Sequence, residues 1–139
     1  MKILKLEVEN ILKERFGKDT VIALATAANR IPNVRFVNAY YENCVFYIIT
    51  YSLSNKIKNI ENNTNVAIAG EWFSGHGKGI NLGYWGKEEN REIAEKLRIA
   101  FADWIDNGHN DFSDENTIIL SVELTDGVVF SKGIRYEIK

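Results

Sequence analysis

Five residues near the middle of the chain have the types that hold an anion: Thr50, Tyr51, Ser52, Ser54 and Lys56. They lie in FYIITYSLSNKIKNIENNTNV (46–66), where an apolar, β-branched run ends in hydroxyls and gives way to a helical pattern. Hydroxyls supply hydrogen bonds and the lysine a full charge. A helix N-terminus adds free N–H groups and partial positive charge. The chemistry that fits is phosphate binding. Ordinary capping fits too, with Ser52 or Ser54 as the cap, Leu53 packed beside it and Lys56 solvated.

Arg35 strengthens the phosphate reading. It falls on a strand expected to run beside the 44–51 strand, and its planar fork suits phosphate oxygens. Seen alone, it also fits an exposed strand arginine. The glycine-rich GEWFSGHGKG (70–79) is not a P-loop, because Gly75 is followed by His76 rather than Lys-Ser/Thr. It reads as a flexible hairpin loop whose His76 and Lys78 could reach a ligand. His76 and His109 are the only histidines, and neither has a second potential ligand at i+4, so no metal site is expected. Cys44, the only cysteine, reads as a small core residue at the start of a strand. Asp103 and Asp106 read as solvated. With no nucleophile–base pair in evidence, a hydrolase is disfavoured.

The elements that must position these residues follow from periodicity. Leu4, Val8, Ile11 and Leu12 share a helical face that Gly17 can end. Strand patterns occupy 20–28, 33–42 and 44–51, joined by short, turn-like links that favour antiparallel neighbours. A short helix is expected over 53–62 with Ile57 and Ile60 inward, then strands over 65–72 and 80–86. A long amphipathic helix over 87–105 buries Ile93, Leu97, Ala100, Phe101 and Trp104, carries a Glu92–Lys96 pair and ends before Asn107-Gly108. The last 23 residues read as two strands around an Asp-Gly hairpin turn at Asp126-Gly127. Many antiparallel strands with two or three helices predict a small barrel rather than a doubly wound sheet.

Composition sets the outer bounds. At 139 residues, 45% hydrophobic and 26% charged, the chain fits one globular domain spanning 1–139. One cysteine permits no internal disulfide. A formal net charge of −2 argues against nucleic-acid binding through a broad basic face. The amphipathic start is not a signal peptide, and no apolar run is long enough to span a bilayer, so a cytoplasmic protein without a membrane partner is expected.

Several segments, in order, resemble the pyridoxamine 5′-phosphate oxidase-like family of FMN-binding split β-barrels. The likeness covers roughly residues 20 to 131. RFV (35–37) looks like the family's Arg-x-Val strand, and 46–66 like its strand, Thr, Ser-Arg-Lys and helix ending in Glu-Asn-Asn-Pro-x-Val. Asn81 stands where the family often has a flavin-contacting glutamine, five residues before Gly86-Lys87. The resemblance implies a mainly β (α+β) split β-barrel of about six to seven antiparallel strands with flanking helices. It also implies a homodimer with FMN at the interface, acting as an oxidoreductase with a small-molecule electron donor or acceptor.

Carried over residue by residue, Arg35, Ser54 and Lys56 would hold the FMN phosphate. Thr50, Tyr51 and Ser52 would lie along the ribityl chain and flavin edge, Val37 would meet the ring through its backbone, and Asn81 would approach from the other subunit. Trp72, Phe73, Trp85 and Tyr136 are candidate walls over the flavin, although most fit the core better. Asn55 replaces the arginine of Ser-Arg-Lys, and Thr64 the usual proline. The C-terminal Arg-x-His pattern of the vitamin B6 enzyme is absent, so this chain is not expected to be that enzyme. The alternatives are a non-catalytic flavin-binding or sensing protein, or a relative binding F420 or haem, the latter with His76 or His109 on the iron.

Overall fold

A computed structural model describes residues 4–139, leaving the first three positions of the opening helical pattern outside the described residues. Helix α1 (Leu6–Phe16) buries Val8, Leu12 and Phe16 at successive turns. Glu7 and Glu9 in its first turn and Lys13 and Arg15 in its last complement the helix dipole. Strands β1 (Thr20–Ala28), β2 (Ile31–Glu42) and β3 (Val45–Tyr51) form a meander, followed by α2 (Asn55–Asn62), β4 (Asn65–Gly70) and β5 (Phe73–Tyr84). A short 3-10 turn (Glu88–Asn90) leads into α3 (Arg91–Ala100), and β6 (Thr117–Ser131) and β7 (Ile134–Ile138) complete the chain.

All pairings are antiparallel, in the order β3-β2-β1-β4-β5-β6-β7. A further pairing of β3 with β6 closes the first six strands into a barrel and leaves β7 as an extension. The mainly β barrel with flanking helices is thus the observed architecture. Strand β6 serves two partners along one edge, with Thr117–Glu123 on β3 and Gly127–Ser131 on β7. Ile22, Leu24, Phe46, Ile48 and Leu120 are among the residues filling the interior, and α2 adds Ile57 and Ile60. Helix α3 packs a second cluster, including Leu97, Phe101, Trp85 and Ile119, against the barrel.

Two-residue hairpin turns join β1 to β2, β2 to β3 and β6 to β7. Asn29-Arg30, Asn43-Cys44 and Lys132-Gly133 all take positive φ, as the hairpin turns that match strand twist require. Cys44 therefore sits in a turn rather than opening a strand, although it is buried at 2% exposure.

Other boundaries differ from expectation, each for a physical reason. The glycine-rich 73–79 segment is no loop but the first half of β5, and the turn lies at Glu71-Trp72. A Cβ added at Gly75 or Gly77 would stand 2.7 Å from the Asp126 or Glu123 carbonyl oxygen, so the glycines permit close approach to β6. Asp126-Gly127 is not the last turn either. A Cβ at Gly127 would meet the Ser74 carbonyl oxygen at 2.7 Å, and β6 continues to the turn at Lys132-Gly133.

The long helix is shorter than its pattern. Buried Asn90 donates through Nδ2 to the Leu82 and Tyr84 carbonyls, at 3.0 and 2.9 Å, which holds the approach to α3 in a turn. After Ala100 the chain turns back so that Arg98 Nη1 pairs with Asp106 at 3.0 Å. Asp106 is therefore paired, and Gly108, with φ +92°, lies beyond these turns rather than at a helix end. Lys96 meets Glu92 only at 3.8 Å and pairs mainly with Glu42 at 2.7 Å.

Candidate functional site

The barrel is open along one line. Strand β2 pairs with β3 only through Tyr40–Glu42 and Val45–Tyr47, while Ile31–Ala39 pair with β1 alone. Beyond Tyr47, β3 keeps its pairing with β6 but has no β2 residue on its other edge. Continuing the Tyr40–Tyr47 register would set Val37 across from Thr50 and Arg35 across from Ser52. The split thus has one lip made by β2 and another by β3 and the chain running into α2.

Three elements bring a cation cluster together at this opening. Arg35 is half-buried, and its Nη1 donates to Thr26 Oγ1 at 2.8 Å, the Leu24 carbonyl at 3.2 Å and the Asn33 carbonyl at 3.4 Å. Its Nη2 and Nε make no hydrogen bond among the described residues. Lys56, in the first turn of α2, donates to Thr50 Oγ1 at 2.8 Å. Burial, and then the Arg35 charge, hold its ammonium below the usual lysine range. Burial lowers Arg35 as well. Neither cation forms a salt bridge with a described carboxylate, and the first turn of α2 has no acidic residue.

Ser54 occupies the N-cap position of α2 but makes no side-chain capping bond. Its Oγ is buried without a hydrogen-bond partner, the only such side-chain atom among the described residues. Ordinary capping would have engaged that hydroxyl, and leaving one buried and unpaired costs about 1–3 kcal/mol. Two uncompensated cations, an orphaned hydroxyl and an uncapped helix N-terminus can together take an anion with several oxygens.

Other sequence-derived residues have different surroundings. Ser52 is engaged by Asn116, donating through Oγ to its Oδ1 at 2.6 Å and through its backbone N–H to its carbonyl at 2.8 Å. Thr50 is buried, Val37 packs partly against the core, and Tyr51 is 44% exposed. Asn81 is not part of the cluster's hydrogen bonds. It pairs with Leu120, which pairs with Ile48, and its Oδ1 accepts from the Gly83 N–H at 2.8 Å. His76 and Lys78 are exposed residues of β5; His76 Nδ1 lies 2.8 Å from Asp126 Oδ1, and Lys78 donates to Asn65. No group of three or more potential metal ligands occurs among the described residues.

Of the four aromatic candidates, Phe73 and Trp85 are buried in the two cores, and Trp72 is exposed against Phe130. Tyr136 donates to Glu7 at 2.9 Å. Sequence reasoning missed Thr26 and Asn59, which converge on the cluster, and Asn116. Thr26 carried a signal, being the hydroxyl at the next inward position after Ile22 and Leu24 on β1.

No helix among the described residues is long and apolar enough to cross a membrane. No protein-family model and no curated protein matches the chain. Solved structures do match. General Stress Protein 26 from Bacillus anthracis is similar at TM-score 0.67 and 19% identity, over 96% of this chain and 95% of that one. A Listeria innocua protein named for pyridoxamine 5′-phosphate oxidase is similar at TM-score 0.64 and 13% identity, over 90% and 98%. An FAD-binding protein from Mesorhizobium loti is similar at TM-score 0.63 and 16% identity, over 91% and 94%. These likenesses and the six-stranded closure agree: the chain has a split β-barrel fold similar to that of these structures.

Proposed function

We propose that this protein is a homodimeric, cytoplasmic FMN-binding oxidoreductase. The observation that carries the reading is the buried Ser54 Oγ, unpartnered among the described residues, in a cluster whose two cations, Arg35 and Lys56, have no carboxylate partner among them either. A terminal phosphate monoester is close to a dianion at neutral pH and has three strong acceptor oxygens. It suits this donor set better than a phosphodiester, which carries one charge and two free oxygens. That favours FMN over a flavin or deazaflavin joined through a diester.

In this reading, Arg35, Ser54, Lys56 and the first-turn N–H groups of α2 hold the phosphate. Val37 and Thr50 flank the opening along which the rest of the cofactor lies. A bound flavin supplies hydride and electron transfer, which explains why no acid–base dyad is needed from the chain. The protein's own part is to hold, orient and shield the ring. The exposed apolar side chains of Val34 and Phe36 on β2, 71% and 80% exposed, offer a surface that a second copy covers. Asn81 then comes to the ring from that copy.

The test is the visible spectrum of freshly purified protein, before and after dialysis against FMN. A flavin spectrum with about one FMN per subunit is expected. The double variant Arg35→Ala/Lys56→Ala should release FMN while keeping the far-ultraviolet circular dichroism of the parent. A colourless protein that ignores FMN overturns the reading, as does a double variant that binds FMN like the parent. Tight FMN binding with slow reduction by every donor tried would make the protein a flavin sensor rather than an enzyme.

A further inference from the structure

We infer that Thr26 is the positioning residue of the anion cluster, a role that rests on the phosphate-grip reading above. Thr26 lies near the end of β1, facing inward, and is only 2% exposed. Its Oγ1 accepts two hydrogen bonds, from Arg35 Nη1 at 2.8 Å and from Asn59 Nδ2 at 2.9 Å. A hydroxyl oxygen has two acceptor lone pairs, so both are taken. One donor belongs to β2 and the other to α2, the helix that carries Lys56 and follows Ser54. A single buried oxygen therefore fixes the arginine and the helix relative to one another.

The chemistry of that oxygen matters. A carboxylate in its place would hold Arg35 at least as firmly but would cancel the charge on which anion binding depends. A neutral hydroxyl orients the guanidinium through one nitrogen and leaves its charge unspent. Strand β1 suits the task, since it is paired to β2 on one side and β4 on the other and has little freedom to shift. Sites held within fractions of an ångström depend on such supporting contacts.

The experiment compares FMN with riboflavin, which has the same ring and no phosphate. Thr26→Val keeps the side-chain volume and removes the acceptor. It should weaken FMN binding about tenfold, the scale of one hydrogen bond to a charged group, and leave riboflavin binding unchanged. Thr26→Ser should restore FMN affinity to within about twofold, since it returns the hydroxyl. Should Thr26→Val fail to fold, Asn59→Ala severs the helix arm from a half-buried position and should weaken FMN about threefold, again without touching riboflavin. Unchanged FMN affinity in the variant that folds overturns the role of Thr26, and so does an equal loss of both ligands. Arg35→Ala separates the two levels of inference. If it leaves FMN affinity unchanged, the phosphate grip itself is wrong; if it alone abolishes FMN binding while Thr26→Val does not, only the role of Thr26 falls.

Discussion

Arg35 lies close enough to Lys56 to disfavour its protonation, although the two belong to different elements and neither has a carboxylate partner among the described residues. Folding thus sets two positive charges together at the mouth of the split without neutralising either. Such an arrangement costs stability in the free protein and returns it when an anion binds.

Ser54→Ala tests that exchange from the neutral side. Removing a buried hydroxyl that has no partner should leave the free protein as stable as the parent, or more stable by up to about 1 kcal/mol. FMN affinity should nevertheless fall about tenfold, because the phosphate loses a donor. Urea denaturation and fluorescence titration read the two effects separately. A variant that loses stability but keeps its affinity would make Ser54 a structural residue.

The pH dependence of FMN binding should have two limbs. Affinity should rise as the phosphate takes its second charge near about pH 6. A bound dianion favours the charged amine, so binding takes up a proton wherever the free lysine has lost it. Because burial and Arg35 lower Lys56 in the free protein, affinity should begin to fall at a pH below 10.5, the ordinary lysine value. Lys56→Arg, with its much higher basicity, should move that alkaline limb upward. An unchanged limb in that variant would remove Lys56 from the site.

Gly77→Ala distinguishes a strand from a flexible loop. In a loop that tolerates alanine, the change would stabilise the chain by about 0.4–1 kcal/mol. In β5 the new methyl meets the Glu123 carbonyl oxygen at 2.7 Å and Val122 Cγ1 at 2.8 Å, so a loss of about 1–3 kcal/mol is expected. The midpoint of urea unfolding decides between the two signs.

Tyr41→Phe should act on the fold and not on the site. The phenol donates to Glu9 at 2.5 Å and accepts the Cys44 backbone N–H at 2.9 Å, joining α1 to the β2–β3 turn. Burial, then the Glu9 contact, pushes its pKa up, so it stays a donor through the whole working range. Removing the oxygen takes away both the acceptor offered to the Cys44 N–H and the donor to Glu9, for a loss of about 1–3 kcal/mol. Unchanged FMN affinity in the folded fraction is the accompanying expectation.

How much of this was legible in the sequence depended on the kind of signal each residue carries. The meander of β1, β2 and β3 could be read because apolar residues alternate and the links are short. The convergence of Arg35 and Lys56 could be anticipated because Arg35 lies on a strand next to the one that Lys56 follows. Gly75, Gly77 and Gly79 were opaque, since glycine has no hydropathy by which an inward position could declare itself. Asp126-Gly127 misled because the same dipeptide serves a turn or a close strand crossing, and only the position of β5 decides. Thr26 and Asn59 stand 33 positions apart, and no spacing rule links a strand hydroxyl to a helix amide at that distance.

Closure of the barrel has a kinetic consequence. The Leu124 N–H meets the Cys44 carbonyl at 3.0 Å, beside the β3–β6 pairing, between residues 80 positions apart in the chain. Joining so distant a pair spends more loop entropy than closing a hairpin does, so docking β6 against β3 is expected to be slower than hairpin formation. Hairpins not yet docked in this way would present unpaired outer edges to other chains. Thr50, which accepts from Lys56, sits on the strand that this docking fixes, opposite Ile118. A ligand that binds the cluster only in the closed barrel is therefore expected to slow unfolding more than it speeds folding, as a latch on a seam already shut.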